Sequence, residues 1–223
     1  MLGRPLFLLN LKTYPSAMGA GADRLATLLF ARAGEAGIPA TVAAAAADLG
    51  RLSALQRGPI LGQHIDSMEA GAHTGFQVAE SLSAVGARGS LVNHSEHPIP
   101  TGAVGAAVDR LRSLGLASVV CAATPERARR LCAFHPDYLA IEPPELIGGS
   151  VSVSEARPEL IARAAAIVAE HSPGTGLLCG AGVRRRSDVR RALDLGAVGI
   201  LVASAVATAP DPVPVVGDLL SGF

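Results

Sequence analysis

Gly176-Leu177-Leu178-Cys179 begins a stretch that continues through residues 187–195 and Gly196 to Gly199-Ile200-Leu201-Val202, and it holds one whole structural unit. The two short apolar runs, each opened by glycine, read as strands buried on both faces. Residues 187–195 are apolar at helical spacing, and Gly196 follows where a left-handed residue ends a helix. Strand, helix and strand joined this tightly form a β-α-β unit with parallel strands.

The same unit repeats outward in both directions. Strands are predicted at residues 5–9, 40–44, 59–63, 89–93, 118–122, 138–141, 176–179 and 199–202, with helices that include 23–36, 101–114, 125–132, 155–170 and 187–195. Gly37, Gly86 and Gly115 stop helices as Gly196 does. The alanines at 43–47 are poor strand formers, accepted here because tertiary context can override that preference. Eight β-α units closing on themselves make a barrel. An open doubly wound sheet would favour a G-x-G-x-x-G turn after the first strand, and none stands there.

The chain has 223 residues and no low-complexity segment or internal linker, so one domain spanning 1–223 is expected. Its formal net charge is zero, which offers nothing to nucleic acid or to an anionic membrane surface. The apolar run at residues 6–9 is too short to be a secretory segment or to span a bilayer, and a cytoplasmic protein is expected. Cys121, Cys132 and Cys179 are odd in number and lack C-x-x-C spacing, so reduced, buried thiols are expected. His64, His73 and His97 come without the carboxylate or cysteine spacing of a metal site, and no metal or cofactor is expected. The arginines at 184–186, 190 and 191 read as a solvated helix face.

Among 19 basic residues Lys12 is the single lysine, and it directly follows the first apolar run. An ammonium is a compact point charge that a planar guanidinium cannot replace. Barrels of this kind build their sites at the C-terminal ends of the strands. That rule collects Asn10 and Lys12 after strand one, His94 and Glu96 after strand four, and Glu142 after strand six. A lysine, a histidine and a carboxylate at one mouth suit acid-base chemistry on a phosphorylated carbonyl compound. Residues 142–149 read as a lid, with prolines stiffening the entry and glycines freeing the exit. Small residues at 180–182 and 203–205 let backbone N–H groups approach an anion.

Six segments taken together, 10–14, 71–75, 93–96, 142–148, 179–182 and the Asp218-Leu219-x-Ser-Gly near the end, resemble the triosephosphate isomerase family in its shorter archaeal form, across the whole chain. The resemblance implies a single-domain (β/α)8 TIM barrel that interconverts dihydroxyacetone phosphate and glyceraldehyde 3-phosphate. It makes Glu142 the base, and His94 the electrophile, held neutral by a helix starting near Ser95. Lys12 and Asn10 would hold the reacting oxygens, with Glu96 positioning Lys12. The phosphate would lie on backbone near Ile147, Gly148, Gly182, Ala203 and Ser204. Thr74 would insert into the site of a neighbouring subunit, implying a homodimer or homotetramer.

The chain also departs from the family pattern. Gly149 and Ser150 stand where the family usually has threonine and glycine. Ala44, Ala45 and Ala46, and likewise Ala122 and Ala123, replace residues that are mostly polar. An isomerase of a longer sugar phosphate, such as a tetrulose phosphate, and a silent barrel that only binds a phosphorylated metabolite are the alternatives. Glu145 competes with Glu142 as the base, although catalytic precision favours the strand end.

Overall fold

The structure, a computed structural model, describes residues 2–55, 58–146 and 152–223. Eight parallel strands close in sequence order, and the first is hydrogen-bonded to the last. They are β1 Leu6–Asn10, β2 Ala40–Ala44, β3 Ile60–Gly62, β4 Gly89–Val92, β5 Ala117–Ala122, β6 Tyr138–Ile141, β7 Gly176–Gly180 and β8 Gly199–Val202. Each lies within a residue or two of its sequence expectation. The principal helices around the barrel are α1 Ala20–Ala36, α2 Ala46–Leu55, α3 Ala79–Ala84, α4 Thr101–Ser113, α5 Pro125–Cys132, α6 Val153–Ala156, α7 Pro158–His171, α8 Arg186–Asp194, α9 Ser204–Ala207 and α10 Pro212–Leu220.

Two expectations are corrected. The helix over 155–170 is two helices, because Pro158 has no N–H to continue the ladder and its ring disfavours helical backbone at Arg157, which sits at φ −142° and ψ 53°. No helix begins near Ser95 either. Residues 95–97 are a turn, and α4 starts at Thr101. The helix stops hold: Gly37, Gly86, Gly115 and Gly196 have φ of 68°, 79°, 69° and 97°.

Alternation along the strands divides the core into two bodies. Leu6 and Leu8, Ala43, Leu61, Leu91, Val119 and Cys121, Tyr138 and Ala140, Leu178 and Leu201 pack together inside the barrel. Their chain neighbours, such as Phe7, Val42, Val120, Leu139, Leu177 and Ile200, pack outward beneath the helices. Side chains in a strand alternate faces with a period of two, so each inward residue fixes which one lies above it. Continued upward, this parity puts Asn10 over Leu8, Gln63 over Leu61, Asn93 over Leu91, Glu142 over Ala140 and Gly180 over Leu178. The layer at the mouth is therefore polar where the layers below are apolar.

Candidate active site

The polar layer is tied together by its own hydrogen bonds. Asn10 is buried, and its Oδ1 accepts from the Lys12 N–H at 3.0 Å and from Gln63 Nε2 at 3.2 Å. The same Gln63 amide donates to the carbonyls of Lys12, at 3.0 Å, and Ala43, at 3.3 Å. These bonds hold Lys12 in left-handed backbone at φ 49°. Such a conformation costs a non-glycine residue about 1 to 3 kcal/mol and persists only where its surroundings enforce it. Lys12 Nζ donates to Glu96 Oε1 at 2.7 Å. Asn10 Nδ2 has no partner among the described residues, leaving its donor available at the mouth.

His94 is buried, and its Nδ1 accepts the Glu96 N–H at 3.2 Å. A ring nitrogen that accepts a hydrogen bond carries no proton, so in this arrangement the proton sits on Nε2. A loop amide thus orients the imidazole, in place of the expected helix terminus. His94 Nε2 lies 3.6 Å from Glu142 Oε2. Both atoms are buried, and neither has a hydrogen-bond partner. Unpaired buried polar atoms are costly, and where they persist they call for a reason. Here they face each other at the mouth.

Glu142 continues directly from β6, and its N–H donates to the Ala122 carbonyl at 2.9 Å. Gly180 leaves room for it, because a Cβ there would come within 2.5 Å of Glu142 Cγ. Burial, with the Glu142 charge beside it, pushes the Cys121 thiol well up, and the Cys179 thiol is raised in the same way. Both therefore stay protonated, as small apolar neighbours of the carboxylate. Glu145 is exposed and pairs with Arg157 at 3.7 Å, whereas Glu142 is 3% exposed. The strand-end carboxylate is the one aimed into the site.

Asn93 opens the 93–96 segment, and the structure gives it a role. At φ 62°, its Nδ2 donates to the Cys121 carbonyl at 2.9 Å and its Oδ1 accepts the Ile99 N–H at 3.1 Å, pinning the loop that carries His94. Gln63, Asn93 and Gly180 were missed as positioning residues. The strands were read as apolar runs buried on both faces, and that reading carries no signal for residues of the polar layer above them.

A cleft beside Lys12 and Glu142 is lined by Gly182, Arg184, Ala203 and Ser204. Gly182 has φ 73°, and Ala181 before it has φ 74°. The mouth thus brings together Asn10, Lys12, His94, Glu96 and Glu142, with Gly182, Ala203 and Ser204 beside them. Ile147 and Gly148 lie outside the described residues. Thr74 is exposed in the loop between β3 and α3. No group of three or more His, Cys, Asp or Glu among the described residues is arranged to hold a metal ion, and no described helix is long and apolar enough to cross a membrane.

A carboxylate facing an imidazole N–H, with an ammonium beside them, can move protons between a carbon and two oxygens. Comparison with known proteins agrees. The family model for triosephosphate isomerase matches residues 5–218. The chain belongs to the triosephosphate isomerase family. It is 42% identical over 217 residues to the triosephosphate isomerase of Methanoculleus marisnigri, covering 97% of this chain and 98% of that protein. It is also 42% identical over 219 residues to the triosephosphate isomerase of Cenarchaeum symbiosum, covering 98% of each. The enzyme of Methanosarcina acetivorans is 38% identical over 219 residues. Membership makes the chain an isomerase, and a small phosphorylated sugar is the substrate the family name implies.

Proposed function

We propose that this chain interconverts dihydroxyacetone phosphate and glyceraldehyde 3-phosphate through an enediolate. Glu142 takes a proton from carbon one of the ketose as the C–H electrons form the C1–C2 double bond, and the carbonyl electrons move onto oxygen. His94 donates from Nε2 to that oxygen and recovers a proton from the hydroxyl on carbon one. Glu142 then returns its proton to carbon two, giving the aldose. Lys12 Nζ, oriented by Glu96, stabilises the developing oxyanion, and Asn10 Nδ2 supports it. Backbone near Ile147, Gly148, Gly182, Ala203 and Ser204 holds the phosphoryl group.

The observation that carries this reading is the facing pair of Glu142 Oε2 and His94 Nε2, 3.6 Å apart, both buried and unpartnered. Two such groups are complementary to a reacting fragment and to little else. In a homodimer or homotetramer, Thr74 would reach the neighbouring site, and a cytoplasmic location suits three free thiols.

The test is a coupled assay over three- to five-carbon ketose phosphates. Turnover of dihydroxyacetone phosphate above that of the longer sugars supports the proposal. Preferred turnover of a tetrulose phosphate reassigns the substrate, and phosphate binding without turnover makes the chain a silent binding barrel.

A further inference from the structure

Part of the polar layer at the mouth is built in two halves. One is Gln63 with Asn10 and Lys12, tied together by the Gln63 amide. The other is the turn after β4 that carries His94 and Glu96, closed by the His97 N–H on the His94 carbonyl at 2.8 Å and by the Glu96 N–H on His94 Nδ1 at 3.2 Å. Each half carries a further histidine. His64 follows Gln63 and His97 ends the turn, and the proton transfer uses neither.

These two rings meet. Their centroids are 4.1 Å apart and their planes 13° from parallel, so they stack face to face between the β3 loop and the β4 turn. His64 is largely buried, and its Nε2 lies 3.4 Å from Asp66 Oδ1. Asp66 is itself fixed, because its Oδ2 accepts the Gln77 N–H at 2.8 Å. His97 is exposed, and its ring has no hydrogen bond or ion pair among the described residues, so the stack is what ties that ring to the neighbouring loop. Imidazole takes up its proton just below neutral pH, and two rings stacked this closely repel once both are charged. Burial first and the His97 charge second hold the His64 pKa below its ordinary value, against the pull of Asp66. The turn's own carboxylate, Glu96, is engaged by Lys12 at 2.7 Å.

We propose that His97 is a positioning residue of this enzyme: stacked on His64, its ring clasps the turn that carries His94 and Glu96 to the Gln63 side of the mouth, and protonation of the pair opens the clasp. The stack acts on the reaction only through its neighbours. Closed, it keeps the Glu96 N–H on His94 Nδ1, and so the His94 proton on Nε2, where the transfer needs it. Opened by acid, it frees the turn, and the imidazole and the partner of Lys12 lose their placement together. The proposal rests on the isomerase reading for its effect on rate and on the stacked rings alone for the clasp.

The test compares the parent enzyme with His97→Ala, which has no ring, and with His97→Phe, which keeps a stacking ring but takes no proton. Steady-state kinetics with dihydroxyacetone phosphate are measured from about pH 8 to about pH 5, and the Glu96 amide signal is followed by NMR over the same range without substrate. For His97→Ala, kcat at about pH 8 falls about threefold to tenfold, the scale of one stacked ring pair, with KM kept within about twofold. The melting temperature moves little, as befits an exposed position. In His97→Phe the stack survives acid, because a charged His64 is attracted to the face of a neutral ring. Its kcat at about pH 8 stays within about twofold of the parent, and its loss of activity in acid comes at least about half a pH unit later. The Glu96 amide moves together with the His64 and His97 ring signals in the parent and stays in place over the same range in His97→Phe. Coincident acid limbs in the parent and His97→Phe overturn the proposal, as does parent-level kcat in His97→Ala or a Glu96 amide indifferent to the ring titration. Should the parent fail to isomerise the triose phosphate, the isomerase reading fails, and the amide signal still decides the clasp.

Discussion

The inside of this barrel changes character between its lower layers and its mouth. Below, Leu6, Leu8, Leu61, Leu91, Val119, Leu178 and Leu201 fill the centre with buried aliphatic bulk. One step above, Asn10, Gln63, Asn93, Glu142 and Gly180 follow the same alternation, yet the layer carries left-handed backbone at Lys12 and Asn93 and unpaired atoms on His94 and Glu142. The lower layers are arranged for burial, which stabilises by roughly 25 cal/mol per Å² of apolar surface. The mouth accepts strain and unmet hydrogen bonds, because what completes it is not part of the chain. The division predicts that substitutions below the mouth act on stability and those at the mouth act on turnover.

The sharpest test is Lys12→Arg. The charge is kept but the ammonium's position beside Glu96 Oε1 is not. A preorganised charge on an oxyanion is worth about 3 to 4 kcal/mol, so kcat/KM should fall at least a hundredfold while the melting temperature moves little. Full activity in this variant would break the comparison at its upper end.

Leu178→Ala probes the lower layers. The side chain is fully buried inside the barrel, and truncation there should cost about 3 kcal/mol, from the lost transfer energy and the cavity left behind. Thermal unfolding should shift down by roughly 6 to 12 °C for a chain of this size. The kcat of the folded fraction should stay within about twofold of the parent; a large fall would show that the layers are coupled.

Glu142→Asp shortens the base by one methylene above Ala140. A displacement near 1 Å from reacting geometry can cost about a hundredfold in kcat, with KM largely kept. Unchanged turnover would remove Glu142 as the base.

His64 gives the smallest effect, at the margin between the two regions. It stacks on His97 with ring centroids 4.1 Å apart, and its Nε2 lies 3.4 Å from Asp66 Oδ1. Burial first, and the neighbouring His97 second, lower its pKa below 6.5, against the opposing pull of Asp66. As pH falls below about 6.5, the unfolded chain takes up this proton before the folded one does, so His64 makes folding stability decline toward acid. His64→Asn should flatten that decline between about pH 7 and 5 in thermal melts; an unchanged acid limb would assign it to other groups.

Much of this was legible in the sequence because it depends on local periodicity. Every strand was recognisable from its apolar run, and the turn glycines from the left-handed conformation that helix ends require. Glu142, His94 and Lys12 were placed at one mouth by the rule that strand C-termini converge. The break at Arg157 was also legible, since Pro158 forces it, although apolar spacing across residues 155–170 masked the signal. What the sequence did not reveal was how the mouth is held together. Gln63 spans from β3 to Asn10 and Lys12, and Asn93 from β4 to the Cys121 carbonyl, each through bonds between residues at least 20 positions apart.

By itself, then, the sequence determined the eight-fold repetition, the stops of its helices, and the set of reactive side chains, because periodicity, helix caps and residue chemistry act within a few positions of one another. The tertiary structure alone decided the 3.6 Å approach of Glu142 to His94, the loop amide that orients the imidazole, and the neighbours of each charge. Those depend on barrel closure, which brings chain segments far apart in sequence to one rim and sets their separation by the packing of every strand between them.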